Sequence, residues 1–239
     1  MAERVFLAGA AGVIGRKLCP MLLADGCEVV GTTRFADKVP LLRALGVTPV
    51  IVDVFDAEAL RAAVIGARPG VVVHQLTDLP PGLDPARMAA ALPRNARIRE
   101  IGTRHLLAAA VAAGAHRFVA QSISFVYAPG PLPYREDAPL ATGGEMDDTV
   151  RGVISLEQQV LHGPLEGIVL RFGKLYGPGT GFNTPASGGP VHVDAAADAA
   201  RRALTRGAPG IYNVAEGDGT VDSGKAAEAF GWRADFRCG

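Results

Sequence analysis

Apolar and polar positions alternate along most of this chain in two rhythms. Short, nearly continuous apolar runs at 4–9 (RVFLAG), 27–34 (CEVVGTTR), 48–54 (TPVIVDV), 70–77 (GVVVHQLT), 116–123 (HRFVAQSI) and 167–173 (GIVLRFG) read as buried strands. Between them, segments 12–26, 36–46, 57–65, 93–115 and 148–162 carry apolar residues at helical spacing. Gly26 and Gly46 stop the first two helices, although each has an internal proline. Asp56 is placed to cap the third; Pro93 and Gly114 mark the entry and exit of the longest. Strict alternation of strand and helix predicts parallel strands joined by right-handed crossovers, an α/β doubly wound sheet of the Rossmann type.

Length and composition narrow the class. At 239 residues the chain suits one α/β domain with a small appendage. We expect a dinucleotide-binding core over 1–173 and a reduced C-terminal substrate-binding portion over 174–239. Hydrophobic residues at 49% and charged residues at 20% are the balance of a soluble globular protein. Lys+Arg and Asp+Glu are both 24, with no basic run, so neither nucleic acid nor a membrane surface is an expected partner. Three cysteines without metal or redox spacing suit a reducing compartment. The start runs straight into a strand with no leader or membrane-span pattern, so a cytoplasmic location is expected. No metal site is expected, since no H-E-x-x-H occurs; no G-x-S-x-G elbow occurs either.

Chemistry gathers at the strand ends. Gly9, Gly12 and Gly15 follow the first strand and open the first helix. Gly9 can make the turn, Gly12 can admit a pyrophosphate against backbone, and Gly15 can let helix pack on sheet. Ala11, Val13 and Ile14 complete that loop, whose free N–H groups and positive helix end suit phosphate. The second strand ends in GTTR, with no carboxylate to accept from a ribose. Thr33 and Arg34 (with Thr32) can instead hold a 2′-phosphate, so NADP(H) is expected over NAD(H), which remains possible. Asp53 and Val54 end the third strand near the expected adenine, and Gln75 and Leu76 end the fourth. Loops 77–85, 128–144 and 177–190 all leave the carboxyl edge, where open α/β sheets bind ligands.

Beyond the glycine loop, VDV (52–54), GTRHLLAAA (102–110), RFVAQSISFVYAPG (117–130), LRFGKLYGPGTG (170–181), VHVDAAADAA (191–200) and GIYNVAEG (210–217) follow in order. The sequence thereby resembles the extended short-chain dehydrogenase/reductase family, in its NAD-dependent epimerase/dehydratase branch. The resemblance implies a cofactor domain, a small C-terminal substrate domain and pairing of subunits through two long helices, hence a possible homodimer. It also implies a Tyr-x-x-x-Lys pair ahead of a glutamate, in which the ammonium lowers the phenol's pKa for proton transfer. Glu157 fits the glutamate, but Thr149 and Val153 stand at the tyrosine and lysine positions. Isoleucine (Ile123) replaces the usual fifth-strand hydroxyl, flanked by Ser122 and Ser124. The asparagine usually found before the GT of the long helix is missing too, with Arg99 and Ile101 nearby. Only nine residues join YGPGTG to VHVD, where the family commonly has more.

The catalytic candidates are therefore Ser122, Ser124, Tyr127 and His192, with Ser122 also a candidate cofactor contact. His74, Lys174 and Tyr176 lie on the same edge and also read as packing or solvated residues. A histidine needs no lysine to titrate near neutrality. Two classes of function follow. One is an NADP(H)-dependent oxidoreductase or epimerase/dehydratase-like enzyme with an altered acid–base set, acting on a small carbonyl or alcohol substrate. The other is a non-catalytic NADP(H)-binding sensor.

Overall fold

The apolar runs become the strands of one parallel sheet. The structure is a computed structural model that describes residues 3–144 and 147–238. Strands β1 (Arg4–Ala8), β2 (Glu28–Thr33), β3 (Thr48–Ile51), β4 (Val71–His74), β5 (Arg117–Ile123) and β6 (Glu166–Phe172) come first along the chain. Strands β7 (Lys174–Tyr176), β8 (Pro190–His192) and β9 (Gly210–Val214) follow. The main sheet runs β3-β2-β1-β4-β5-β6-β9, every neighbouring pair parallel. Connections reverse direction between β1 and β4, which makes the crevice there the topological switch point. β7 and β8 form a separate parallel ribbon.

The helices are α1 (Val13–Ala24), α2 (Val39–Ala44), α3 (Ala57–Ala67), α4 (Pro85–Arg97), α5 (Thr103–Ala112), α6 (Asp147–Leu161), α7 (Val193–Arg202) and α8 (Gly224–Phe230). Successive strand residues feed opposite layers. Val5 and Leu7 of β1, with Val71 and Val73 of β4, join the core under α1, α7 and α8; Phe6, Ala8 and Val72 join the one under α3, α5 and α6. Alanines fill much of α7, whose residues Val193 to Ala200 are all buried, so it can lie close on the sheet. The segment after 173 contributes β9 to the main sheet and α7 to one of its layers, as well as the ribbon. Arg117 fixes that addition: it holds the Glu166 carboxylate at 2.7 Å and donates to the carbonyls of Ala203, Arg206 and Gly207. Among the described residues no helix is long and apolar enough to cross a membrane.

Two elements differ from expectation. The long helix starts at Pro85, not Pro93. Asp84 caps it, accepting from Ala86 N at 3.0 Å, and Pro85 takes the first turn, where no N–H is needed. Pro93 rides inside the helix on its exposed side. The helix then passes through a π-turn, Ile98–Gly102, into α5. The expected strand 48–54 ends at Ile51, because Asp53 turns the chain by accepting from Phe55 N at 2.9 Å. Asp56 does cap α3, accepting from Ala59 N at 3.0 Å.

The first loop and α1 meet in close backbone contact. A Cβ on Gly15 would stand 2.3 Å from Gly9 O and 2.6 Å from Ala10 O, both backbone atoms that cannot swing aside. Gly15→Ala is expected to cost about 1–3 kcal/mol through that overlap and to weaken dinucleotide binding by moving the loop. Urea unfolding and a cofactor titration on the same variant check both effects.

Candidate functional site

The site is built at the switch point. Gly9 has φ +91°, and a Cβ there would meet Gln75 O at 2.6 Å, so the loop lies directly against the end of β4. Gly12 N–H donates to Gly9 O at 2.9 Å, and Gly12 caps α1 without any side-chain acceptor. The first-turn N–H groups of α1 therefore present their partial positive charge with no capping side chain in front of them. Gly9, Ala11, Gly12, Val13, Ile14 and Gly15 are thus brought beside Gln75 and Leu76. Gln75 is 5% exposed, yet both of its amide atoms are buried without a partner among the described residues. Buried polar atoms of this kind are rare, and a ligand's amide or hydroxyl groups would satisfy them. The cradle and these orphans fit a dinucleotide.

The end of β2 holds a surprise. Thr32 Oγ1 accepts from Gly9 N at 3.4 Å, and Thr33 Oγ1 accepts from Phe35 N at 3.1 Å. Arg34 spans to Asp78 at 2.6 Å, and Arg94 reaches the other oxygen of the same carboxylate at 3.0 Å. The two guanidiniums hold Asp78 below the usual carboxylate range despite its partial burial. Asp78, which the sequence reading did not single out, thus ties the β2 end to the β4 loop. Asp53 is exposed, and the Val54 carbonyl lies 2.9 Å from His105 Nδ1.

Two of the three carboxyl-edge loops meet beside this crevice. A Cβ on Gly181 would stand 2.4 Å from Gly82 O, so loops 77–85 and 177–190 touch. Pro178 and Gly179 lie over the first turns of α1, and with Val13, Arg16 and Lys17 they line a cavity of about 360 Å³. Loop 128–144 is pinned elsewhere, by a bridge from Tyr134 to Val221.

Two catalytic candidates sit in a buried scaffold. Arg171 clamps Glu157 through both oxygens at 2.8 and 2.7 Å, both side chains nearly fully buried. Ser122, fully buried, donates to Glu157 Oε1 at 2.8 Å. Tyr127 donates to Asn213 Oδ1 at 2.6 Å and accepts from Arg171 Nη1 at 2.9 Å. Burial pushes the Tyr127 phenol up, outweighing Arg171. Ser124 differs: it is 1% exposed and its hydroxyl has no partner among the described residues. Thr149 and Val153 are buried, so no phenol or ammonium enters from α6 at their positions.

The histidines are structural in their contacts. His192 Nδ1 accepts from Asp194 N at 3.2 Å and so caps α7. Its ring packs on Tyr176, centroids 5.1 Å apart, in a cluster where Tyr176 donates to Glu216 at 2.8 Å and Arg237 joins both. Lys174 donates to the Ser187 carbonyl at 2.8 Å. His74 Nδ1 accepts from Leu76 N at 3.2 Å, which leaves the proton on Nε2 facing Thr103 Oγ1 at 3.1 Å. Burial, aided by the Arg99 charge, lowers His74 to about 4. Among the described residues no group of three or more His, Cys, Asp or Glu is placed to hold a metal ion.

A glycine cradle ahead of an uncapped helix, at the switch point of a parallel doubly wound sheet, defines a dinucleotide-binding protein. The family model described as NAD(P)H-binding matches residues 9–207, and the chain belongs to that family. A 3-diazoavenalumate denitrifying reductase from Streptomyces sp. is 43% identical over 236 residues, spanning 89% of this chain and 76% of that protein. A dTDP-4-dehydrorhamnose reductase from Streptomyces griseus is 31% identical over 177 residues, 74% of this chain and 51% of the other. In fold the chain is similar to UDP-glucose 4-epimerase of Thermotoga maritima, with a TM-score of 0.80 at 18% identity over 98% and 94% of the two chains. The UDP-glucose 4-epimerase of Thermus thermophilus, solved with NAD, gives 0.70 at 24% over 98% and 86%. The resemblance to extended short-chain dehydrogenases/reductases thus extends to the whole fold. The chain is an NAD(P)-binding enzyme with the fold of the nucleotide-sugar epimerases, and in sequence it resembles a reductase.

Two variants test these contacts. Arg171→Met strands the Glu157 carboxylate in the core, and a loss of about 3–5 kcal/mol is expected in denaturant unfolding. His74 is lowered in the fold, so below pH 6.5 the unfolded chain binds a proton the native one refuses. Stability is therefore lost as pH falls from 6.5 towards 4, by up to about 3 kcal/mol at ~1.4 kcal/mol per unit. His74→Gln is expected to flatten that limb, read from melting temperature against pH.

Proposed function

We propose that this protein is an NADPH-dependent reductase whose substrate accepts a hydride without needing a proton from the enzyme. One observation carries the reading: the phosphate cradle is intact while Thr149 and Val153 fill the positions of the phenol and the ammonium. Reducing a carbonyl develops an alkoxide that needs a proton donor. A diazo-type cation does not. The relative's name describes the reductive denitrification of a diazo-bearing acid. When bound, the reduced nicotinamide supplies a hydride, so that R–N₂⁺ takes it at the terminal nitrogen to give R–N=NH, which loses N₂ and leaves R–H.

In this reading the chain's residues bind and orient. The α1 N-terminus and the glycine loop hold the pyrophosphate. Gln75, with both amide atoms free, orients the nicotinamide-side groups. Arg34 and Arg94 outnumber Asp78 and take the 2′-phosphate that distinguishes NADPH. Ser124, whose hydroxyl lacks a partner, contacts the substrate. Ser122 and Tyr127 keep the β5 end rigid, and His192 positions the ribbon. A carbonyl substrate is the second reading, favoured by the free hydroxyl of Ser124. Exposed Leu92 and Val111 on the long helix suit the pairing of two copies.

The test is oxidation of NADPH with aryl diazonium salts beside a panel of aldehydes and ketones. Diazonium turnover with release of N₂, surviving Tyr127→Phe, is expected; carbonyl turnover alone would shift the assignment to the second reading. Arg34→Ala is expected to weaken NADPH about 10- to 100-fold, from ~1.5–3 kcal/mol for a charge-assisted contact, and to leave NADH nearly unchanged. Equal losses for both cofactors would remove the 2′-phosphate role.

A further inference from the structure

Arg99 lies in the π-turn of the long helix and is 7% exposed, yet among the described residues its guanidinium has no hydrogen-bond or ion-pair partner. The other buried arginines are matched: Arg117 with Glu166 and three carbonyls, Arg171 with Glu157, Tyr127 and a carbonyl. Its helix neighbours are engaged as well, Arg94 on Asp78 and Arg97 over the Phe55 ring at 4.3 Å. An isolated buried charge costs several kcal/mol, so a fold that keeps one keeps it for something.

Its place is fixed by α6. A Cβ on Gly152 would stand 3.1 Å from Ala96 Cα, and Gln159 Nε2 donates to the Glu100 carbonyl at 3.1 Å. Residues 96–100 therefore run alongside 152–159, which sets Arg99 level with the stretch from Val153 to Glu157. Its charge is felt by His74 at the end of β4 and feels Glu157 on α6, so it lies between those elements. Burial pulls it down to about 10, still a cation at neutral pH. The π-turn widens the helix at this point, a distortion common at functional sites.

We propose that Arg99 anchors the substrate, its guanidinium pairing with the carboxylate of a small organic acid beside the nicotinamide end of the cradle. This rests on the reductase reading above. The fork of donors matches a planar carboxylate. One unmatched cation calls for a monoanion. A nucleoside diphosphate would need several, and the other arginines nearby are engaged, Arg34 and Arg94 by Asp78 and the cofactor's 2′-phosphate, Arg171 by Glu157 and Arg97 by Phe55. The short link from 181 to 191 also leaves little chain to wrap a nucleotide.

The experiment uses the full chain saturated with NADPH, whose binding is first read by its own fluorescence. Failure at that step refutes the reductase reading; the acids are then titrated on the cofactor-free chain, where the anchor stands or falls by the same outcomes. Benzoate and cinnamate are then titrated beside their primary amides, following melting temperature and calorimetric affinity. The acids are expected to bind and the amides not. Arg99→Met is expected to weaken the acids about 10- to 100-fold, to leave NADPH affinity unchanged, and to melt no lower than wild type, because a stranded charge has been removed. Arg99→Lys is expected to keep part of the affinity. The proposal is overturned if neither acid binds at millimolar concentration, if Arg99→Met binds them as wild type does, or if that variant melts several degrees lower, as loss of a structural arginine would. It is equally overturned if UDP-glucose, rather than the acids, shows the Arg99-dependent binding.

Discussion

The whole site depends on the absence of three Cβ atoms. A side chain on Gly9 would overlap Gln75, one on Gly15 would overlap Gly9 and Ala10, and one on Gly31 of β2 would come within 2.6 Å of the Ala10 Cβ. Three elements, β1, β2 and α1, can crowd to one point only because these positions carry hydrogen alone. That crowding drives the start of α1 into the sheet edge at the place where the crossovers reverse. Gly12 then adds a second lack: as the N-cap it brings no oxygen of its own. A serine or aspartate there would satisfy the helix internally. Glycine leaves the N–H groups open to an external anion, so steric necessity makes a site suited to phosphate.

A second constraint explains why the glutamate that follows the catalytic pair in the resembled family survives here without that pair. Glu157 is bonded to Ser122 on β5 and Arg171 on β6, and Arg171 in turn holds Tyr127, which reaches Asn213 on β9. Four elements meet on one buried ion pair. Removing either charge would strand the other, so the pair is kept for packing whatever the chemistry. Thr149 and Val153 bear no such load, and a small residue at each keeps α6 packed. The loss of the acid–base pair therefore needs no rearrangement of the scaffold around it.

Legibility followed the range of the interactions. Strands were readable because their residues are apolar on both faces, and the glycine loop because its three constraints lie within seven residues of chain. The start of the long helix was misread: Pro93 is a strong local signal, but the Asp84-Pro85 cap outweighs it and Pro93 turns to solvent. The β9 strand joins the sheet through pairing with β6, which a pattern shared with any apolar run does not announce. Asp78 and Arg99 were the least accessible. One is defined by two arginines, 44 and 16 residues away; the other is distinguished by burial without a partner, and charge patterning predicts arginine at the surface.

Arg99 also changes how the missing lysine is understood. An ammonium at position 153 would have brought positive charge from α6; the guanidinium brings it from the facing helix instead. A lysine paired to a phenol tunes an acid. An arginine stays charged at neutral pH and offers no exchangeable proton at that pH, so it holds an anion and does not shuttle a proton. It is already largely desolvated in the folded chain, and a carboxylate arriving there meets a cation with little water left to shed. Stability is given up at that point in exchange for a preorganised contact. A substrate carrying a carboxylate at one end and a cationic nitrogen at the other would neutralise Arg99 while directing its electrophilic end towards the hydride donor, and such a substrate needs no proton donor from the protein.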